Sequence, residues 1–228
     1  MLMSTRRIQF SNEEYYHIFN RGVDKRDIFL EDKDYTRFLL SMNLLNDTND
    51  GLMIEWRDYK KSDPENSLND FLKGTFRKRD PLVEILSYCL NQNHYHLILK
   101  QIEDRGIERF MHKIGTSHTK YFNNKNKRSG ALFQGVFKSA HIDSNEYLLY
   151  LSAYINKNNF IHGYNKNNNW PYSSLLDYLG KRSGNIVTVN AKDILKQFRN
   201  IEDYKEFMEK NALYMKNKKE MKKYLIEE

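Results

Sequence analysis

Two histidines stand one residue apart in the segment from Asn93 to Leu99, among residues that favour a β-strand. Successive side chains of a strand point to opposite faces of the sheet. His94 and His96 would therefore share one face, and the apolar residues between and after them would pack against helices on the other. Two adjacent imidazoles, each with a neutral ring nitrogen, suit a divalent cation. The alternative is a pair of half-exposed histidines on a solvated sheet face.

A second candidate group lies on a helix that the sequence predicts from Asn145 to Asn158, with Asp143 or Ser144 as its N-cap. Helical spacing makes Tyr154 and Asn158 neighbours, about 6 Å apart along the helix axis. A phenol beside an amide oxygen could supply a nucleophile and a ligand. Tyrosines at helical spacing also commonly fill a core or an interface, and that alternative stays open.

A third candidate is a surface for a polyanion. The chain has 37 lysines and arginines against 30 acidic residues, a net charge of +7, and 14% aromatic residues. Basic grooves with aromatic rings hold single-stranded nucleic acid, because cations follow the phosphates and rings stack on bases. A basic helix is predicted over 107–122, and the cations in and around it are Arg105, Arg109, Lys113, Lys120, Lys125, Lys127 and Arg128. An ordinary solvated helix face is the alternative.

Composition narrows the class of protein. A chain of 228 residues with 39% hydrophobic residues can bury a core of ordinary size. No apolar run approaches the ~18 residues of a membrane span, and the residues from Met1 to Phe10 lack the apolar region of a secretory signal. Because Cys89 is the single cysteine, neither an intrachain disulfide nor a cysteine-rich zinc finger can form. We therefore expect a cytoplasmic protein with no membrane partner.

The elements that must position these residues alternate between strands and helices in the first half, which predicts an α+β or α/β fold. The predicted strands and extended segments are Tyr15 to Asn20, Gly51 to Tyr59, Glu84 to Lys100 and Ala131 to Ala140. A helix is predicted from Glu31 to Asn43 on its apolar spacing, and a charged segment from Lys60 to Asp80 is interpreted as an insertion or long loop. One or two amphipathic helices are predicted in the tail from Ala191 to Glu228.

Five short motifs in a fixed order resemble the REP-associated tyrosine transposases, a group within the HUH-type single-tyrosine transposases. The resemblance runs from about Tyr15 to Leu179. The motifs are Tyr15 to Gly22, Asn93 to His96, Gly130 to Lys138, Tyr154 to Asn158 with His162-Gly163 just after it, and Trp170 to Ser174.

This resemblance implies an α+β fold: an antiparallel sheet flanked by helices, a ferredoxin-like or RRM-like core, with a C-terminal helical extension. It further implies that His94, His96 and Asn158 hold Mg²⁺ or Mn²⁺, and that Tyr154 attacks single-stranded DNA to form a 5′-phosphotyrosine link. The family usually has proline where this chain has Asn159. A competing alignment would take Asn156 as the ligand and Ser152 at the nucleophile position, implying an inactive enzyme, but the His-Gly spacing favours Tyr154 and Asn158.

The resemblance also implies a partner: a DNA hairpin with a single-stranded flank, bound by a monomer or homodimer. The residues expected to contact DNA are Arg21, Lys138 and the cations of 105–128 named above. We predict a transposase domain over 1–184, with an insertion or loop at 59–80, and a helical extension over 185–228. Two rival functions stay open: an inactive or domesticated protein that binds nucleic-acid hairpins, and a metal-dependent phosphodiesterase that uses water.

Overall fold

The computed structural model describes residues 9–75, 78–164, 170–182, 184 and 186–224, with side chains up to residue 219. Four strands form one antiparallel sheet in the order β2-β3-β1-β4. The strands are β1 (Tyr15–Arg21), β2 (Val83–Asn91), β3 (His94–Gln101) and β4 (Lys138–His141). The region predicted from Glu84 to Lys100 is thus a hairpin whose strands are joined by two residues, Gln92 and Asn93.

Nine α-helices lie in the described part of the chain, together with a short 3₁₀ turn at Val23–Lys25. Before the hairpin come α1 (Asp32–Leu44), α2 (Leu52–Ser62) and α3 (Leu68–Gly74). After it come α4 (Gly106–Lys125), α5 (Asn145–Asn156), α6 (Asn158–Ile161), α7 (Leu175–Tyr178), α8 (Lys192–Leu195) and α9 (Ile201–Tyr224). The predicted α+β class, an antiparallel sheet flanked by helices, is confirmed.

Helices α1 and α4 cover one face of the sheet. Tyr95, Leu97 and Leu99 of β3 are buried there, in one cluster with Phe38 of α1 and Phe110 of α4. Burying each such side chain contributes roughly 1.5–3 kcal/mol. The prediction that the apolar residues of β3 pack against helices on one face of the sheet is therefore confirmed.

Helices α5 and α9 cover the opposite face. Ile98 of β3, which points away from Tyr95 and Leu97, packs in a second cluster with Leu151 and Ile155 of α5. Tyr204 and Met208 of α9 complete that cluster. His94 and His96 share the strand parity of Ile98, so they lie on the α5 side of the sheet.

Two predictions for the segment between α1 and β2 were wrong. Of residues 51–59, predicted as a strand, Gly51 is the N-cap of helix α2 and the others belong to that helix. The apolar residues Leu52, Trp56 and Tyr59 recur at helical spacing, and they pack against Phe71 of α3. The segment from 60 to 80 contains the end of α2 and all of α3, so it is not a long loop, and the alternative of an insertion stays a prediction; residues 76 and 77 lie outside the described part.

Two other boundaries also differ from the prediction. Of the segment 131–140, predicted as extended, only residues from Lys138 onward form a strand, after a turn with Gly135 at φ 74°. The helix predicted to run to Asn158 ends at Asn156. Lys157 lies at φ −112° and ψ 13°, outside helical geometry, and Asn158 begins the separate helix α6.

The C-terminal helix α9 packs against α5 and α6, and the predicted amphipathic tail helices are present as α8 and α9. Residues 225–228 of that tail lie outside the described part, and the predicted boundary at 184 stays a prediction. Among the helices of the described ranges, none combines the length and apolar character that a membrane crossing requires.

Candidate active site

Three imidazoles meet on the α5 side of the sheet. In the register of the central strands, Arg21 of β1 lies opposite His94 of β3, and Phe19 lies opposite His96. His17, two residues before Phe19, shares the same face. The rings of His17 and His96 stack with centroids 5.1 Å apart, and those of His94 and His96 lie edge to face at 5.3 Å.

His94 has its proton position fixed by its neighbours. Its Nδ1 lies 2.6 Å from Oδ1 of Asn93, an atom that can only accept. The orientation of the Asn93 amide follows from two other contacts: its Nδ2 donates to the carbonyl of Lys25, and its Oδ1 accepts from the Tyr164 hydroxyl. Neutral His94 therefore carries its proton on Nδ1 and presents a lone pair on Nε2. Burial lowers the pKa of His94, which favours this neutral form.

His96 lies between the other two imidazoles, and its side chain is buried. Burial lowers its pKa well below the usual range, and the neighbouring His17, His94 and His162 lower it further. Its Nδ1 lies 2.8 Å from Nε2 of His17, whose pKa burial lowers to about 4. Both rings are therefore neutral near pH 7, and the Nε2 atom of His96 is the nitrogen that remains for another partner.

Asn158 lies against His94. Its Oδ1 is 3.1 Å from Nε2 of His94. The amide of Asn91, at the end of β2, donates to Asn158 Oδ1 at 2.6 Å and lies 3.1 Å from His94 Nε2. Nδ2 of Asn158 is buried without a hydrogen-bond partner. The site thus brings together two lone-pair donors and one unsatisfied N–H donor.

Tyr154 packs beside these groups from helix α5. Its ring lies edge to face with His96 at 5.5 Å between centroids. Burial raises the pKa of the Tyr154 phenol, and the neighbouring Asn158 side chain opposes that rise. The phenol is consequently protonated near neutral pH and requires assistance to act as a nucleophile.

His162 lies on the other side of the Tyr154 hydroxyl, with Nε2 3.4 Å from the phenolic oxygen. Its Nδ1 is 2.8 Å from Nζ of Lys219 on α9. Because an ammonium group only donates, Nδ1 of His162 is the acceptor, and the neutral ring carries its proton on Nε2. Burial lowers the pKa of His162 to about 4, and the charge of Lys219 adds to that effect.

Ser152 and Asn156, the nucleophile and ligand of the competing alignment, lie away from the histidines. Asn156 donates to the Tyr204 hydroxyl at 2.8 Å and accepts from Ser174 at 2.6 Å. The Ser152 hydroxyl donates to the carbonyl of Leu149. These side chains are buried between α5 and α9, whereas Tyr154 and Asn158 contact the histidines.

The predicted DNA-contacting residues separate into two groups. Arg21 and Lys138 are exposed. Arg21 lies directly opposite His94 on the neighbouring strand, and Lys138 lies directly opposite Phe19. Both cations therefore lie on the same face of the sheet as the site. The cations of 105–128 lie on or next to α4, on the opposite side. Several of them contact protein atoms: Arg105 with Glu108, Arg109 with Thr48, Lys113 with Asp50, Lys125 with Glu31 and Asp34, and Arg128 with Asn123. Lys120 and Lys127 are exposed.

The donor set fits a divalent cation. His94 Nε2 and Asn158 Oδ1 both offer lone pairs at 3.1 Å from one another. In the described part of the chain, no group of three or more His, Cys, Asp or Glu side chains converges on a metal position. The third protein ligand would therefore be the amide oxygen of Asn158, beside the imidazoles of His94 and His96.

Sequence reasoning missed the supporting residues His17, Asn91, Asn93 and Lys219. The alternation of β1 places His17 on the face of Phe19, but the sequence does not say which strand lies beside β1. Asn91 ends β2 and Asn93 lies in the turn of the β2–β3 hairpin, and their role follows from side-chain orientation. Lys219 reaches the site because α9 folds back over α5, a contact between residues far apart in the sequence.

Comparison with known proteins gives two findings. A sequence model of the family described as IS200-like transposases matches residues 57–158, somewhat less than half of the chain. This span contains His94, His96, Tyr154 and Asn158. No curated protein sequence matches the chain.

The second finding concerns the fold. A solved structure of a REP-associated tyrosine transposase bound to a REP hairpin superimposes with a TM-score of 0.50 at 16% sequence identity, covering 83% of this chain and 96% of that one. Both findings confirm the resemblance predicted from the sequence motifs: over residues 57–158 the chain is similar to the IS200-like transposases, and its fold is that of a REP-associated tyrosine transposase.

Proposed function

We propose that the chain is a metal-dependent endonuclease and strand transferase for single-stranded DNA, acting on hairpin-forming palindromic repeats through a 5′-phosphotyrosine intermediate. One observation carries the proposal: the Tyr154 phenol lies beside His96 and Asn158, and Asn158 in turn contacts His94. A nucleophile and three candidate metal ligands thus meet at one place on the sheet.

The ligands of the cation would be the Nε2 atoms of His94 and His96 and the Oδ1 atom of Asn158. When bound, Mg²⁺ or Mn²⁺ would supply Lewis-acid polarisation of the scissile phosphate. Imidazole ligands alone favour later transition metals, whereas an amide oxygen and phosphate oxygens favour a hard ion. The buried Nδ2 of Asn158, which lacks an acceptor, supports this proposal because a phosphate oxygen would satisfy it.

The reaction requires one bond exchange at phosphorus. The phenolic oxygen of Tyr154 bonds to phosphorus while the bond from phosphorus to the 3′ oxygen of the preceding nucleotide breaks. The phenolic proton passes to solvent, and the departing 3′ oxygen takes up a proton. The products are a 5′-phosphotyrosine link and a free 3′-hydroxyl. Attack by another 3′-hydroxyl reverses the exchange, so strands are rejoined with no external energy source.

A DNA hairpin with a single-stranded flank is the proposed substrate. The fold neighbour described above is a protein bound to a REP hairpin, and this chain shares its fold. The exposed cations Arg21 and Lys138 lie on the same face of the sheet as the site and could contact phosphates there. The protein would act as a monomer or homodimer in the cytoplasm.

A covalent adduct tests the proposal. Labelled hairpin DNA with a single-stranded flank is incubated with Mn²⁺ or Mg²⁺ and the protein, and the mixture is run on a denaturing protein gel. We expect label to travel with the wild-type chain. Tyr154→Phe should give no adduct and retain DNA binding. Tyr150→Phe, one turn earlier on α5 and 39% exposed, is the matched control and should form the adduct.

Three outcomes would contradict the proposal. An adduct that persists in Tyr154→Phe would show that another nucleophile acts. DNA binding by the wild-type chain with neither cleavage nor adduct would favour an inactive hairpin-binding protein. Cleavage without an adduct in the wild-type chain would favour a phosphodiesterase that uses water.

A further inference from the structure

His17 is buried in the sheet directly behind a candidate metal ligand. Its Nε2 lies 2.8 Å from Nδ1 of His96, and the two side chains are buried to 8% and 9% exposure. Phe19 packs against both rings, at 4.9 Å from His17 and 5.5 Å from His96. The near-parallel rings, with interplanar angles of 21–30°, hold this nitrogen pair in place.

The contact admits two arrangements of one proton. Either Nδ1 of His96 donates to a lone pair on His17, or Nε2 of His17 donates to a lone pair on His96. In the first arrangement Nε2 of His96 is a lone pair that can bind a cation, whereas in the second it carries a proton and cannot. The partner of His96 therefore decides whether the imidazole can act as a ligand at all.

The same geometry recurs at the other histidine. Nδ1 of His94 donates to the Asn93 side chain, which leaves Nε2 as a lone pair facing Asn158. A cation shared by both imidazoles requires the corresponding arrangement at His96. His17 occupies the position that Asn93 occupies for His94, but it comes from β1 instead of the hairpin turn.

We propose that His17 is a positioning residue of the metal site: it accepts the Nδ1 proton of His96 and thereby keeps Nε2 of His96 available to the cation. This inference rests on the proposed function for the presence of a metal. It gives His17 a role that neither the family resemblance nor the sequence spacing assigned.

Metal affinity provides the test, with Mn²⁺ as the probe. Mn²⁺ binding is measured by calorimetry, or by the electron-spin resonance signal of free Mn²⁺, for the wild-type chain and for three variants. His17→Ala should weaken binding by about 10–100-fold, the usual effect of losing such a supporting partner. His17→Gln places an amide oxygen near the position of Nε2 and should recover most of the affinity. His141→Ala, which changes an exposed histidine on β4, is the control and should bind as wild type.

A second readout reports the proton directly. Long-range ¹H–¹⁵N spectra of histidine rings distinguish which nitrogen is protonated, and they should place the proton of His96 on Nδ1 in the wild-type chain and in His17→Gln. A proton on Nε2 of His96 in the wild-type chain overturns the inference, even if His17→Ala does not fold. Unchanged Mn²⁺ affinity in folded His17→Ala overturns it too.

These outcomes are distinguishable from a failure of the proposed function. A wild-type chain that forms the DNA adduct while His17→Ala retains full Mn²⁺ affinity contradicts the role of His17 alone. A chain that forms no adduct but loses Mn²⁺ affinity in His17→Ala supports that role and contradicts the proposed reaction. A wild-type chain that binds no Mn²⁺ contradicts both.

Discussion

Hydrogen-bond partners around Tyr154 determine how easily its phenol can lose a proton. Burial raises the pKa of the phenol, which works against attack at neutral pH. The Nε2–H of His162 points toward the phenolic oxygen at 3.4 Å, and Lys219 keeps the proton on that nitrogen by donating to Nδ1. A donor in this position stabilises negative charge on the oxygen as it develops.

We therefore predict that His162→Ala slows adduct formation by about 10–100-fold, less than the ~100–1000-fold typical for removal of such a donor, because the contact is long. His162→Gln keeps an N–H donor and should lose less. The measurement is the single-turnover rate of adduct formation at fixed, saturating Mn²⁺ and DNA.

Lys219→Met should slow the same step because it frees the His162 proton to move to Nδ1. Lys218→Met is the matched control, since this exposed lysine is next in the chain. Equal rates of adduct formation for Lys219→Met and Lys218→Met would contradict the role of Lys219. An unchanged rate in His162→Ala would contradict the role of His162 as a donor to the phenolic oxygen.

At the scale of elements, the end of α5 is held by a buried polar network. The Tyr204 hydroxyl of α9 accepts from Asn156 and donates to Ser152, and Ser174 donates to Asn156. These groups are fully buried, so each depends on its partners. The network fixes the last turn of α5 just before Asn158 begins α6.

Tyr204→Phe removes the hydroxyl and leaves the Asn156 amide without its acceptor. We expect the free energy of unfolding to fall by about 1–3 kcal/mol, the cost of an unsatisfied buried polar group. Urea unfolding followed by circular dichroism measures the change. Tyr214→Phe, on the same helix but 59% exposed, should unfold as wild type. A Tyr204→Phe chain as stable as this control would contradict the importance of the network.

Local patterns predicted the elements whose periodicity is clear. Strand alternation assigned His94 and His96 to one face, and motif order led to Tyr154 and Asn158. Helix α2 was missed because its apolar residues lie against α3, and a short window with aromatic residues fits a strand equally well. The role of His17 was beyond sequence reasoning, because it depends on β1 pairing with β3 across 79 positions of the chain.

Over the whole molecule, the positive charge lies on both sides of the sheet, but its surroundings differ. On the α4 side, several cations are engaged with carboxylates and carbonyls of the protein, as with Lys113 and Asp50 or Lys125 and Asp34. On the site side, Arg21 lies opposite His94 in the register, and its charge contributes to the lowered pKa of that histidine. If the proposed reaction takes place, the DNA whose scissile phosphate reaches Tyr154 must pass over this second side.

The salt dependence of binding can assign the phosphate contacts to one side. For single strands, the logarithm of the binding constant falls with the logarithm of salt concentration by about 0.7 per phosphate neutralised. We predict that the double variant Arg21→Gln, Lys138→Gln reduces this slope by about 1.4, because two contacts are lost. The matched control is the double variant Lys120→Gln, Lys127→Gln, which removes two exposed cations on or next to α4 and should keep the wild-type slope.

The measurement is fluorescence anisotropy of a labelled hairpin with a single-stranded flank at several salt concentrations. All variants carry Tyr154→Phe, so that binding is measured without cleavage. If instead the control pair lowers the slope and the Arg21, Lys138 pair does not, the nucleic acid follows the basic helix, and its path to Tyr154 has to cross the edge of the sheet.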